Sequence, residues 1–228
     1  MIDGFKVLEI KQNIFDDNNR QADILRVGMK QEGIFMLNLM SSPGSGKTTT
    51  VVRTIEALKD EMKIGVVEAD VDSDVDAFTV ANTGTRVIQL HTGGMCHLDA
   101  GMVTQGLSEL QTNGLDFVIL ENIGNLLCPA EFDTGAAKNA MILSVPEGDD
   151  KPLKYPLMFS KVDVLLINKI DAMEFFNFDL KAASERVKKL NPAVKIFPVS
   201  AKTGEGISEW VDWIRAEVKN WKNRTTLD

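Results

Sequence analysis

Cysteine is scarce in this 228-residue sequence, which holds only Cys96 and Cys128. A chain of this length buries a core without covalent staples, so the pair reads as free thiols or metal ligands and not as a disulfide framework. No apolar run reaches the length of a membrane-spanning helix, and Met1-Ile2-Asp3-Gly4 lacks the basic and apolar segments of a secretory signal. The expectation is a soluble, cytoplasmic protein without membrane insertion. Positive charge is also thin: the longest basic cluster is Lys188-Lys189, in a chain of net charge −8. That is too little to track a phosphate backbone, so no nucleic-acid partner is expected. Internal repeats, low-complexity tracts and long linkers are missing as well. The simplest division is one core domain over residues 33–222, preceded by an extension over residues 1–32 that packs on it as a helix.

What is present is alternation. Apolar strand candidates fall at residues 34–40, 64–68, 87–90, 117–121, 140–145, 164–167 and 194–199, separated by helical or loop stretches. Strands this apolar suit a sheet covered on both faces, which predicts an α/β fold with a mostly parallel central sheet flanked by helices. Ile24, Leu25, Val27 and Met29 give a partial helical stripe over residues 17–30, outside the sheet. A closing helix over residues 207–221 places Ile207, Trp210, Ile214, Val218 and Trp221 on one side, with a frayed tail from Lys222 onward.

Between the first strand and a helix over residues 47–58 lies Ser41-Ser42-Pro43-Gly44-Ser45-Gly46-Lys47-Thr48, the P-loop pattern with Ser41 at its first glycine position. Its glycines let backbone N–H groups turn toward phosphate oxygens, and the helix N-terminus favours negative charge. Lys47 then reaches the β/γ-phosphates and Thr48 offers a hydroxyl to Mg²⁺. Pro43, Gly44, Ser45, Gly46 and Thr49 complete the candidate phosphate site. Asp70, with Asp72, Asp74 and Asp76 crowding the same loop, supplies candidate carboxylates for Mg²⁺, Asp70 first among them. Asn168-Lys169-Ile170-Asp171 follows a strand. A carboxylate there accepts two hydrogen bonds from guanine that adenine cannot donate, and the Lys169 stem covers the base. Ser200-Ala201-Lys202 ends another strand and offers backbone N–H groups to the guanine O6. Three motifs in this order point to GTP and GDP. No Asp-x-x-Gly follows a strand, but Glu121-Asn122-Ile123-Gly124 stands in its place, with Gly124 able to approach the γ-phosphate. Without an obvious glutamine or histidine to position water, hydrolysis is expected to be slow.

Cys96-His97 and Cys128 sit in loops at the carboxyl edge of the expected sheet, where open α/β folds place ligands. Two thiolates and an imidazole are competent ligands for Ni²⁺ or Zn²⁺, and a two-fold dimer brings two copies of each thiol together. The alternative is two small buried thiols and a helix-cap histidine. His91 reads as a loop residue.

Four blocks carry a resemblance: residues 38–49, Cys96-His97-Leu98-Asp99-Ala100, residues 121–130 around Glu121 and Cys128, and residues 147–156. From about residue 20 onward the chain resembles the HypB family of hydrogenase nickel-incorporation GTPases, of the SIMIBI class. The resemblance implies GTP hydrolysis, a homodimer in the GTP state, and a metal site at the subunit interface built from Cys96, His97 and Cys128. It also implies nickel delivery to the large subunit of a nickel–iron hydrogenase, with a HypA-type zinc accessory protein as partner. The sequence departs from the family in lacking an N-terminal cysteine motif and a histidine-rich tract, and in having Ala69 before Asp70 and a histidine at position 91. Two alternatives stay open: a related GTPase serving another metal or a cobalamin enzyme, and a GTP-gated scaffold without turnover.

Overall fold

Near-continuous apolar runs form strands here because each strand is covered on both faces and has no solvent side to alternate against. The computed structural model describes residues 10–70 and 74–223, with side chains from Ile14 onward. Asp72 and residues 1–9 and 224–228 lie outside the described residues. In chain order the elements are α1 (Ile10–Gln31), β1 (Phe35–Ser41), α2 (Lys47–Leu58), β2 (Ile64–Asp70), α3 (Val75–Ala81), β3 (Arg86–His91), α4 (Ala100–Leu110), β4 (Phe117–Glu121), α5 (Cys128–Glu131), β5 (Lys138–Ser144), α6 (Lys151–Lys154), α7 (Pro156–Lys161), β6 (Val164–Asn168), α8 (Leu180–Leu190), β7 (Lys195–Pro198) and α9 (Ile207–Asn223). Short 3₁₀ turns at Val145–Glu147 and Ile170–Phe175 complete the connections.

The seven strands run in the order β3-β2-β4-β1-β5-β6-β7. Every pairing is parallel, so the expected mostly parallel sheet is wholly so. β1 lies at the centre, and the loop that follows it opens at the carboxyl edge between the two halves of the sheet. This is the position at which parallel α/β sheets bind ligands.

The two faces of β1 carry separate cores. Phe35, Leu37 and Leu39 meet Val51, Ile55 and Leu58 of α2 and Trp210, Ile214 and Val218 of α9. On the other face Met36 joins Met29, Val103 and Leu107 from α1 and α4. Met40 joins Phe159, Ala183 and Val187 from α7 and α8. Each fully buried large side chain contributes about 1.5 to 3 kcal/mol, so these layers hold the sheet edge rigid beneath its loops. Trp210 is 1 % exposed, and its indole N–H donates to Thr54 Oγ1 at 2.9 Å, which fixes α9 to the helix that carries the phosphate loop.

Two expectations at the ends of the chain need correction. α1 begins at Ile10, well before the stripe starting at residue 17. Its anchors are partly polar, which hides the apolar period: Asn18 Nδ2 donates to the Asp133 carbonyl at 2.9 Å and Asn18 Oδ1 accepts from Ala100 N at 2.9 Å. Arg26 pairs with the Asp133 carboxylate at 2.6 Å and donates to the Ala136 carbonyl at 3.1 Å. At the other end Lys222 is helical and bonded to Asp116 Oδ1, so fraying does not begin there.

Candidate functional site

The turn between β1 and α2 is held from the opposite half of the sheet. Gly46 caps α2 with φ +95°, a conformation that a side chain adopts only with strain. A Cβ at this glycine would lie 2.6 Å from Asn168 Nδ2. That amide donates instead to the Ser45 carbonyl at 2.9 Å, while Asn168 Oδ1 accepts from Ala201 N at 3.1 Å. Lys169, itself at φ +63°, donates through Nζ to the Gly44 carbonyl at 2.6 Å. Ser200 Oγ donates to Asp171 Oδ1 at 2.6 Å. Arg53 of α2 reaches across to the Ala201 and Lys202 carbonyls at 3.0 and 3.2 Å. The 44–49, 168–171 and 200–202 stretches singled out in the sequence therefore form one wall, and Arg53 is a support that carried no sequence signal. Ser45 Oγ is fully buried there without a hydrogen-bond partner, a polar atom suited to a ligand oxygen.

Acidic groups gather on the α2 side of the sheet. Glu68, within β2, and Glu121, the last residue of β4, are cross-strand neighbours, 2 % and 1 % exposed. Glu121 Oε1 accepts from Thr48 Oγ1 at 3.0 Å. With Asp76 of α3 they bring carboxylate oxygens within 4.8 Å of one another. Burial pushes the Glu68 carboxyl up to about 8, reinforced by the charge of Glu121. Burial likewise raises Glu121 to about 7, against the lowering pull of Lys47 and the Thr48 hydroxyl. Glu68 Oε2 and Glu121 Oε2 have no hydrogen-bond partner, so the pocket is short of positive charge and fits a hard divalent cation. Asp70 closes β2 nearby, and its charge is felt by both glutamates, but it is not one of the three carboxylates that converge. In the sequence Glu68 stands only as the end of a strand candidate. The signal that could have found it is an acidic residue in an otherwise apolar, buried run.

Gly124 lies directly against the phosphate loop, where a Cβ would come within 3.0 Å of Pro43 N. Four residues further on, Cys128 opens the short helix α5 instead of lying in a loop. Its Sγ is 2.6 Å from Cys96 Sγ, and Cys96 Sγ is 4.0 Å from His97 Nδ1. Ligand atoms of the three residues all lie within 4.8 Å of one another, each side chain partly buried. The His97 ring stacks on Phe132 with centroids 3.8 Å apart. Burial lowers the His97 pKa against the pull of Asp99 and Glu131, which favours the neutral imidazole that can ligate. The Cys128 thiol is raised by its hydrogen bond with Cys96 and by burial. Two sulfurs and one imidazole nitrogen suit nickel or zinc. α4 begins at Ala100 with Asp99 as its cap, so the cap is Asp99 and not His97. His91 ends β3 as an exposed strand residue, not a loop residue, and stands apart from the group.

Residues 35–198 match the family model for the CobW/HypB/UreG nucleotide-binding domain. The chain is 44 % identical over 214 residues to the hydrogenase maturation factor HypB of Azotobacter chroococcum, covering 93 % of this chain and 70 % of that one. A solved structure of HypB from Helicobacter pylori in complex with nickel superposes with a TM-score of 0.85 at 38 % identity, covering 93 % of this chain and 100 % of that one. The signal recognition particle receptor FtsY of Elizabethkingia anophelis, in complex with GDP, shares the fold alone, with a TM-score of 0.55 at 14 % identity over 89 % of this chain and 76 % of that one. Among the described residues no helix is long and apolar enough to cross a membrane. With the phosphate-loop wall and the paired thiols in place, these matches make the chain a member of the HypB family of hydrogenase maturation factors.

Proposed function

We propose that this chain is a GTP-hydrolysing nickel metallochaperone that acts in nickel–iron hydrogenase maturation through a nucleotide-dependent homodimer. The observation that carries this reading is the convergence of Cys96, His97 and Cys128 at the same sheet edge as the phosphate loop. The nickel complex of the Helicobacter pylori relative supports it.

In this reading the turn at residues 43–49 holds the phosphates, Lys47 placing its charge on the β/γ-phosphates. Asp171, oriented by Ser200, reads the guanine edge, and Lys169 covers the base from its anchor on Gly44. Thr48 and Glu121, with Glu68, Asp76 and Asp70 behind them, would hold Mg²⁺, which when bound neutralises charge developing on the phosphates. Gly124, packed on Pro43, senses the γ-phosphate through its backbone. Nickel is the cargo, taken by Cys96, His97 and Cys128, with two copies of each thiol available in a two-fold dimer. Zinc competes for the same ligands. A HypA-type zinc protein and the hydrogenase large subunit are the partners this role requires.

Single-turnover and steady-state GTP assays test the enzymatic part. Wild-type protein should hydrolyse GTP slowly, and Lys47→Ala should abolish turnover while leaving the circular dichroism spectrum and unfolding midpoint unchanged, because the side chain acts on ligand charge and not on the core. Parent-rate turnover in Lys47→Ala would remove the lysine from the reaction.

A further inference from the structure

We propose that Asn122 and Asn125 form a clamp that transmits movement of the nucleotide-sensing loop to the metal loop. The proposal rests on the reading of this protein as a GTP-coupled nickel chaperone and names the residues that carry the coupling. Residues 121–128 join the two sites: Glu121 is bonded to Thr48 at one end and Cys128 stands at the other, with Gly124 against Pro43 between them.

Asn122 is fully buried on the face of the sheet opposite Glu121. Its Oδ1 accepts from Ile123 N at 2.9 Å and from Leu98 N at 3.3 Å. Its Nδ2 donates to Asn38 Oδ1 at 3.1 Å, and Asn38 Nδ2 donates in turn to Asn139 Oδ1 at 2.9 Å. Three asparagines thus link the residue after β4 to β1 and β5 and end on the backbone next to His97. Beyond Gly124, Asn125 Nδ2 donates to the Cys96 carbonyl at 3.4 Å, and its Oδ1 accepts from Leu127 N at 2.8 Å.

The peptide groups on both sides of His97 are therefore held by two side chains that bracket Ile123-Gly124. A displacement of Gly124 shifts Cys128 along the chain, and through the clamp it shifts Cys96 and His97 as well. All three ligands then move as a set. A purely structural Asn122, closing a strand end by satisfying buried polar groups, predicts lost stability but no change in how nucleotide alters metal affinity. The clamp predicts the opposite emphasis.

The test compares Ni²⁺ affinity in protein loaded with GDP and with a non-hydrolysable GTP analogue, for wild type, Asn122→Leu, Asn122→Asp and Asn125→Ala. Wild type should show a ratio of roughly 5- to 150-fold between the two nucleotide states. Asn122→Leu and Asn125→Ala should bring that ratio to within about twofold of unity while each still binds Ni²⁺ and the analogue. Asn122→Asp, which keeps an acceptor for Leu98 N–H, should retain most of the ratio. Hydrogen exchange at the Leu98 amide in wild-type protein should differ between the GDP and analogue states, which reads the clamp even if Asn122→Leu fails to fold. A wild-type ratio preserved in Asn122→Leu and Asn125→Ala, or in Asn125→Ala together with unchanged Leu98 exchange, would overturn the clamp alone. Equal Ni²⁺ affinities in wild type would overturn the coupled reading on which it rests, and the clamp with it.

Discussion

A 2.6 Å hydrogen bond from Ser200 Oγ fixes the carboxylate of Asp171, so the group proposed to read guanine is oriented by the protein itself. Orientation of this kind lowers the entropy lost on binding and concentrates base selection in one side chain. Asp171→Asn replaces an acceptor with a donor facing the guanine N1–H, and GTP affinity should fall by about 2 to 4 kcal/mol, the range for a charge-assisted pair. Isothermal titration with GTP checks this, and unchanged affinity would take Asp171 out of the base site. Gly46 offers a second residue-scale test. Alanine at φ +95°, with its Cβ 2.6 Å from Asn168 Nδ2, forces the phosphate loop away from Asn168. Gly46→Ala should cost about 1 to 3 kcal/mol in chemical denaturation and weaken GTP binding as well. A variant with parent stability and parent affinity would show that the Asn168 contact does not shape the site.

At the scale of elements, the sheet was legible because seven apolar runs stand between polar breaks, and each run became a strand. Boundaries moved where the chain changes role. Val194 and Val199 lie outside β7, and Val145 turns into a 3₁₀ helix capped by Glu147 through Ser144. The phosphate loop was legible because its pattern needs fixed residue types at short spacing, whereas Cys96 and Cys128, 32 residues apart in sequence, were brought together only by their placement in segments at one sheet edge. Glu68, Arg53 and the asparagine clamp were not legible, because each works through a partner far away in sequence, as Arg53 does on Ala201. The block at residues 147–156 illustrates the same limit. Asp149 is held below the usual carboxylate range by the Asp179 backbone N–H and by Arg186, contacts at 2.8 and 2.5 Å that fasten this block to α8. Because its folded pKa is depressed, the carboxylate contributes stability above the unfolded aspartate range, and that contribution is lost as pH falls through and below it. Asp149→Asn should therefore destabilise the protein by about 1 kcal/mol at pH 7, with the difference from wild type shrinking on acidification. Denaturation midpoints across pH test the sign, and a difference that persists unchanged into acid would assign the loss to packing.

Across the whole molecule, one sheet edge carries the phosphate-loop wall held by Asn168, a buried carboxylate cluster under Thr48 and a thiol–imidazole group, joined by the short segment from Glu121 to Cys128. That segment touches the phosphate loop at Gly124 and ends on Cys128, so any nucleotide-driven shift in it is also a shift of the proposed metal site. Three ligand groups per chain leave a soft metal short of a full four-ligand shell, which a second copy of the chain can complete. In the proposed function, linkage requires that metal favour the GTP-bound dimer by the same factor by which GTP favours metal. The most direct measurement is a titration of Ni²⁺ into protein loaded with GDP or with a non-hydrolysable GTP analogue, with light scattering following the mass. The account predicts dimer mass and Ni²⁺ binding tighter by about 1 to 3 kcal/mol in the analogue state, both lost in the Cys96→Ala/Cys128→Ala double variant. Equal Ni²⁺ affinity in the two nucleotide states, or undiminished affinity in the double variant, would contradict it.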